Sequence, residues 1–278
     1  MNLLWLTLTL AAPLVLAAMG GYMSERSGVV NIALEGKMLM AACVTAMTAW
    51  TFGPVASLGF GVLAAIALSL LHALATQHFR IDAIVSGMAV NALAAGGSNF
   101  VLQRFDDPSR SGQFPALPLQ LFYVFAFAVP VLLWLQSKYF REGLHLIAVG
   151  ADPEKARQAG LNPSKVRARA LVFTGVYCGF AGALLATETG GFTDGMTAGR
   201  GYIALAALIL GGWRPLPTLG ACVAFGFFSA LRLQLQGTPV FGVELPSELW
   251  ASLPYVATLV ALAGLLGRVR PPAGLGKP

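Results

Sequence analysis

Long apolar stretches separated by short polar ones run along almost the whole chain. An apolar helix of about 20 residues crosses the roughly 30 Å hydrocarbon core of a bilayer. The pattern predicts about nine membrane segments, at residues 3–23, 38–52, 55–76, 81–102, 119–136, 170–187, 202–212, 216–236 and 250–267. The second and seventh segments are short enough to be half-helices that do not fully cross, so the expected number of crossings is roughly eight to ten. We therefore expect an all-α fold, a polytopic membrane helical bundle with discontinuous helices, forming one membrane domain over residues 1–278.

Composition supports the same fold class. Of the 278 residues, 56% are hydrophobic and only 11% are charged, whereas an ordinary soluble domain carries roughly 25% charged residues. The chain has too few charged residues to cover the surface of a water-soluble protein. The cysteines Cys43, Cys178 and Cys222 all lie in apolar stretches, which favours buried thiols over a disulfide set. The three histidines lack the spacing of metal ligands, so we expect no metal site.

The Lys and Arg residues cluster in particular loops, and short loops rich in these residues lie mainly in the cytoplasm. The net charge of +6 therefore reports orientation and not nucleic-acid binding. We place the central loop 138–169 in the cytoplasm and let successive membrane segments cross in alternating directions. The cytoplasmic side then also holds Arg26, Lys37, Arg80 and Arg214 and a short basic tail, 268–278. The loops left outside, 103–118, 188–201 and 237–248, hold only Arg104, Arg110 and Arg200. We expect the N-terminus outside and the C-terminus inside.

The loop 138–169 is the only long charged segment, and it holds the signals of a short helix. Asp152 suits the N-cap, Pro153 suits the first helical position, and Gly160 suits a left-handed C-terminal cap. The spacing predicts a helix of about seven residues, after which Asn162 begins the next one. A short capped helix between two membrane segments fits docking on another protein, and it also fits an ordinary solvated loop.

Polar residues interrupt the apolar pattern at 24–37, which predicts a broken helix. Ser27, Asn31 and Glu35 follow each other at intervals of four, so on a helix they form one polar stripe. A carboxylate at membrane depth is costly unless it faces a cavity or a partner. The stripe therefore predicts the lining of a path for a polar solute. The alternative is that Glu35 lies near the interface and pairs with Lys37 or Arg26.

A second interruption covers residues 188–211, where five glycines precede an apolar run. Glu188 and Arg200 are placed to pair at its outer mouth, although a flexible outer loop is the simpler interpretation. Arg26 with residues 32–34 resembles Arg200 with residues 203–205, which suggests an inverted repeat. Asn91 is a further polar residue inside a membrane segment. It fits the lining of the path, and it also fits a hydrogen bond between helices.

The chain lacks the motifs of the common enzyme classes. The sequence contains no GxxxxGK[ST] P-loop, no HExxH and no CxxC, and it has no long soluble segment to hold a catalytic centre. We therefore expect no catalytic residue and no cofactor on this chain. A transporter driven by an ion gradient stays open, because Glu35 could carry a proton, although carboxylates in the membrane segments are few.

Four blocks of sequence together resemble one family of membrane proteins. They are SERSGVVNIALEGKMLMAA from residue 24, RIDAIVSGMAVNALA from 80, ADPEKARQAGLNPSKVRARALVFTGVYCGFAGALLA from 151 and GMTAGRGYIALAALILGGW from 195. In order and spacing they resemble the permeases of ATP-binding-cassette importers for nucleosides and simple sugars, a ribose-permease-like class of the branched-chain amino acid permease superfamily. The resemblance covers nearly the whole chain. Ala33 and Lys37 depart from it, since a glycine and an apolar residue are common there.

The resemblance implies a division of labour in the inner membrane. A cytoplasmic ATPase would bind ATP and Mg, a second permease subunit would complete the pore as a heterodimer, and an extracytoplasmic binding protein would deliver the solute. The short central helix would be the coupling helix, whose contact with the ATPase would fall to Asp152, Pro153, Ala156, Ala159 and Gly160. Asn31, Glu35 and Gly36 would lie near the path. A nucleoside and a simple sugar both stay open as the solute, because each presents hydroxyl groups.

Overall fold

The computed structural model describes residues 2–105, 115, 117–236, 252, 256 and 270–276, and these residues form helices joined by short connections, without a strand. The principal helices are α1 Leu3–Arg26, α2 Leu34–Ala73, α3 Ala83–Phe105, α4 Leu119–Tyr139, α5 Arg141–Ala151, α6 Pro153–Gln158, α7 Pro163–Thr189, α8 Arg200–Leu210 and α9 Pro215–Leu235. A π-helical turn, Leu74–His78, continues α2. The all-α fold predicted from the sequence is confirmed for these residues.

Helix α2 is a hairpin of two antiparallel halves. Gly53 leaves the helical conformation, with φ 77° and ψ 172°, and Pro54 follows it. A Cβ atom on Gly61 would lie 2.8 Å from the carbonyl oxygen of Ala41, although 20 residues of straight helix would separate the two positions by about 30 Å. The chain therefore folds back at Gly53. Its halves correspond to the two separate segments predicted at 38–52 and 55–76.

Six of the described helices are long and apolar enough to cross a membrane: α1, α2 with its π-helical turn, α3, α4, α7 and α9. Helix α8 corresponds to the short segment predicted at 202–212 and has only 11 residues, about 16 Å of helix. The last predicted segment, 250–267, lies outside the described residues, apart from 252 and 256. The total of about nine crossings stays a prediction.

Helices α1 and α7 form the centre of the bundle. Residues 11–25 of α1 are all buried, and α1 contacts α4, α7, α8 and α9. Helix α7 presents Gly175, Gly179 and Gly182 to α2, where added Cβ atoms would meet Ile66, Val62 and Met38 respectively. Because Met38 lies in the first half of the hairpin and Val62 and Ile66 lie in the second, α7 packs closely against both. Such backbone approach is a principal source of helix association in bilayers.

Two irregular connections interrupt the helices where the sequence predicted breaks. Helix α1 ends at Arg26 and α2 begins at Leu34, so residues 27–33 are not helical. Helix α7 ends at Thr189, Gly190 adopts a left-handed conformation with φ 71°, and α8 begins only at Arg200. We call residues 27–33 the first connection and residues 190–199 the second connection. The inverted repeat that would relate them stays a prediction.

Candidate functional site

Glu35, at the start of α2, caps the N-terminus of α8. Its Oε1 accepts the backbone N–H of Gly199 at 2.7 Å, and its Oε2 accepts that of Gly201 at 2.6 Å. The free N–H groups of a helix N-terminus attract a carboxylate. Gly201 permits this approach, because a Cβ atom there would lie 2.6 Å from the Cα atom of Glu35. The carboxylate thus binds α8 in place of the ion pair considered from the sequence.

Asn91 of α3 joins the first connection to α8. Its Oδ1 accepts the N–H of Gly36 at 2.8 Å, and its Nδ2 donates to the carbonyl of Ile32 at 3.0 Å. These are backbone groups that the interruption between α1 and α2 leaves without the usual helical partners. The same Nδ2 lies 3.0 Å from the hydroxyl of Tyr202. Asn91 therefore makes interhelical hydrogen bonds, and Glu35, Gly36 and Asn91 lie together beside the start of α8.

Ser27 and Asn31 belong to a separate, buried network. Asn31 donates from Nδ2 to Ser24 Oγ at 3.0 Å and accepts from Lys37 Nζ at 3.1 Å. The Ser27 hydroxyl donates to the Ser24 carbonyl at 2.6 Å. Asn31, Ser27 and Lys37 are each 0% exposed. The helical face on which Ser27, Asn31 and Glu35 would form one stripe does not exist, because the first connection is not helical. That these residues line a solute path stays a prediction.

Glu25, which the sequence analysis did not single out, holds the other end of α8. The indole Nε1–H of Trp213 donates to Glu25 Oε2 at 2.6 Å, and both side chains are buried. Trp213 follows α8 directly in a turn with φ 53°. Glu25 and Glu35 therefore flank the first connection, and they bind the turn that follows α8 and the start of α8 respectively. The position of Glu25 in the sequence could have identified it, because a charged residue beside a long apolar stretch needs a partner.

The two residues predicted to pair at an outer mouth have separate partners. Glu188 Oε1 accepts from the Tyr123 hydroxyl at 3.0 Å. Arg200 Nη1 donates to the carbonyl of Met196 at 3.1 Å. They lie at the two ends of the second connection, and no ion pair between them is found among the described residues.

The short helix in the charged loop forms as predicted, as α6, with six residues. Asp152 Oδ1 accepts the N–H groups of Glu154 and Lys155 at 3.1 and 3.0 Å. The Lys155 N–H, followed by its ammonium group, holds the pKa of Asp152 below its ordinary value. Gly160 ends the turn with φ 85°, and a Cβ atom there would have nothing within 4 Å. The cap of α6 is therefore fully formed at neutral pH.

The surface of α6 is largely accessible. Only Ala156 is buried, at 5% exposure, whereas Ala159 and Gly160 are exposed and Asp152 and Pro153 are partly buried. Its charged residues pair among themselves, Lys155 with Asp152 and Arg157 with Glu154. Among the described residues, no group of three His, Cys, Asp or Glu side chains is placed to hold a metal ion.

Comparison with known proteins finds a matching family and several similar permeases. Residues 3–266 match the family described as branched-chain amino acid transport system, permease component. The chain is 34% identical to the guanosine ABC transporter permease protein NupQ of Bacillus subtilis, over 98% of this chain and 94% of that protein. It is 34% identical to the nucleoside ABC transporter permease protein NupC of Lactococcus lactis, over 96% and 92%. A putative glucose ABC transporter permease protein of Haloferax volcanii, TsgC13, is 32% identical over 94% and 91%.

Proposed function

Because this chain belongs to the family of branched-chain amino acid transport permease components, we propose that it is the membrane permease subunit of an ATP-binding-cassette importer for a nucleoside. The observation that carries the proposal is the similarity, over nearly full length, to two permeases named for guanosine and for nucleosides. A simple sugar is the second candidate, favoured by the relative named for glucose. The chain itself performs no catalysis in this proposal, and ATP with Mg binds to a separate ATPase.

In this proposal the solute passes along the polar surface formed by Glu35, Asn91 and Tyr202. Support comes from exposure: Glu35 and Asn91 are partly buried, while Tyr202 is 47% exposed. Amide and phenol groups exchange hydrogen bonds readily with the hydroxyl groups of a nucleoside or sugar. Ser27 and Asn31, being buried, maintain the shape of the first connection, and Gly36 supports Asn91 through its N–H. Glu188 and Arg200 stand at the outer mouth.

Helix α6 is the docking element for the ATPase in the same proposal. Its support is a fully capped, exposed helix within the one long charged loop of the chain. ATP-driven closure of the ATPase would move α6 and rock the permease between outward and inward access. The remaining partners are a second permease subunit in a heterodimer and an extracytoplasmic binding protein. The charged loop and the C-terminus would lie on the cytoplasmic side of the inner membrane, and the N-terminus outside.

The test is copurification combined with uptake. The chain is expressed with its genomic neighbours, solubilised, and captured through a tag on the ATPase. The variant Gly160→Pro replaces a left-handed residue by one fixed near φ −65° and removes its N–H. Gly190→Pro is the matched control, because Gly190 is also left-handed, also donates its N–H, and lies at the other end of α7.

We expect the ATPase to capture the wild type and Gly190→Pro but not Gly160→Pro. Cells that express the full system should take up labelled guanosine in preference to labelled glucose, and only while ATP is available. Uptake that persists without the ATPase and collapses with a proton ionophore would contradict the proposal and favour an ion-gradient transporter. Equal capture of all three chains would remove α6 as the docking element.

A further inference from the structure

The C-terminal segment 270–276 bridges two functional parts of the molecule through its backbone. The N–H of Gly274 donates to the carbonyl of Gly150 at 2.9 Å, and the N–H of Gly276 donates to the carbonyl of Gly28 at 2.9 Å. Gly150 precedes the cap of α6 by two residues, whereas Gly28 lies in the first connection. One short segment is therefore hydrogen-bonded both to the last turn of α5, which leads into the proposed docking element, and to the connection that Glu25 and Glu35 flank.

The contact is close because three glycines meet in it. A Cβ atom on Gly274 would lie 2.9 Å from the Gly150 carbonyl oxygen and 3.1 Å from Cδ of Pro153. One on Gly28 would lie 3.1 Å from the Gly274 carbonyl oxygen, and one on Gly150 would overlap the Arg26 carbonyl. Most of these neighbours are backbone atoms or a proline ring, which give way less easily than a flexible side chain. The three backbones are therefore closely packed at this contact.

The segment is also anchored to the bundle. Pro272 and Gly274 are buried, and Leu275 packs against the main hydrophobic core. The backbones of Gly28 and Gly150 also lie close to each other, since a Cβ atom on Gly150 would lie 3.3 Å from the Gly28 nitrogen. Three stretches of backbone thus meet at one point: the end of α1, the last turn of α5 and the C-terminal segment. We call it the glycine junction, formed by Gly28, Gly150 and Gly274.

We propose that residues 270–276 are a positioning element that couples movement of α6 to the first connection during transport. This inference rests on the proposed function, because it assumes that α6 follows an ATPase. A displacement of α6 moves Gly150, and the junction passes that movement to Gly28. Beyond Gly28, the first connection leads to Glu35, Asn91 and the start of α8. In this proposal the segment contacts neither ATP nor solute. It acts only by holding the first connection in a fixed position relative to α6.

The test measures solute uptake and ATP hydrolysis in the same proteoliposomes, with the ATPase, the second permease subunit and the binding protein present. Gly274→Val places a branched side chain against Gly150 and Pro153. Ala273→Val is the matched control, because Ala273 is exposed in the same segment. Gly274→Ala adds only a Cβ atom and serves as the milder variant if the valine prevents assembly.

We expect Gly274→Val to copurify with the ATPase and hydrolyse ATP while solute moved per ATP falls about 10-fold, a typical size for coupling between sites. Gly274→Ala should show a smaller fall, and Ala273→Val none. An unchanged ratio in the Gly274 variants, or equal losses of uptake and hydrolysis, would overturn the inference and leave the segment a stabilising contact. A wild-type chain that captures no ATPase would instead defeat the proposed function itself.

Discussion

Two glutamates beside the first connection are held by specific partners, at the start of α8 and just beyond its end. The Glu35 carboxylate accepts two backbone N–H groups of α8, and Glu25 accepts the indole N–H of Trp213 just beyond it. A charge in a largely apolar bundle is expensive unless it is hydrogen-bonded. Glu35 therefore fixes the start of α8 and Glu25 fixes the turn that follows it. The helix has only 11 residues, too few to be stable by itself.

The variant Glu35→Gln tests this arrangement. The amide keeps one oxygen, but its NH₂ group faces an N–H that formerly donated to the carboxylate. Because one donor is left unpaired in a partly buried place, we expect the free energy of unfolding to fall by about 1–3 kcal/mol. The measurement is thermal unfolding of the purified chain in detergent.

Glu154→Gln is the control for that measurement. Glu154 is also a glutamate near a helix N-terminus, but its side chain is 63% exposed in its ion pair with Arg157. Exposed ion pairs contribute little to stability, so this variant should unfold with the wild type. If Glu35→Gln also unfolded with the wild type, the cap of α8 would not contribute to stability.

Single residues were predictable from the sequence when their partners were local. Asp152, Gly160 and Asn162 carry their signals within a few residues, and the structure forms the caps that those signals predict. The partners of Glu35 are 164 and 166 residues away. No local pattern encodes such a distance. The helical spacing of Ser27, Asn31 and Glu35 was misleading, because the first connection interrupts the helix on which that spacing depends.

At the scale of elements, close backbone packing organises the bundle. The two halves of α2 lie against each other at Gly61 and Ala41, and α7 lies against both through Gly175, Gly179 and Gly182. In a bilayer, association between helices depends on such packing, since lipid tails are as apolar as the side chains. The hairpin and α7 therefore form a three-layered unit of closely apposed backbones.

A pair of alanine substitutions two residues apart tests that packing. A Cβ atom on Gly61 would meet the Ala41 carbonyl oxygen at 2.8 Å, whereas one on Gly59 would have nothing within 4 Å. We expect Gly61→Ala to destabilise the chain by about 1–3 kcal/mol through overpacking. Gly59→Ala should be neutral or stabilising by up to about 1 kcal/mol, because alanine favours the helix. Both are read from thermal unfolding in detergent, and equal melting of the two variants would contradict the hairpin.

The helices themselves were largely predictable, and their packing was not. Apolar length located α1, both halves of α2, α3, α4, α7, α8 and α9. Helix α6 was located from its capping residues, and α5 was not predicted. The fold-back at Gly53 was implied by the predicted alternation, which places Lys37 and Arg80 on the same side. The close contact between the two halves was not predicted, because Gly-Pro signals an interruption but not how the flanking helices pack. That α7 packs against both halves depends on glycines more than 100 residues along the chain from their partners.

At the scale of the whole molecule, the two ends of α7 should face opposite sides of the membrane. Its 27 residues span about 40 Å. The charged loop before it is rich in Lys and Arg, and the second connection after it carries only Arg200 nearby. The predicted orientation therefore rests on the charges of the loops, since the helices alone favour neither direction.

Cysteine labelling tests that orientation. Ser164 and Thr193 are exposed at opposite ends of α7, and the native cysteines Cys43, Cys178 and Cys222 are 0% exposed, so the background is low. A membrane-impermeant maleimide should label Thr193→Cys in intact cells and Ser164→Cys only in inside-out vesicles. Labelling of both from one side would show that α7 does not cross, and the reverse pattern would invert the topology.

The hairpin of α2 also bears on how the protein enters the membrane during synthesis. From residue 38 to residue 71 the chain holds no Asp, Glu, Lys, Arg or His, and the turn at Gly53 and Pro54 joins the halves without a hydrophilic loop. Translocating charged groups is the main energetic barrier to insertion, and this turn presents none. The two halves are therefore suited to leave the translocation channel together, as a preformed pair whose direction is set by Lys37 and Arg80 on either side.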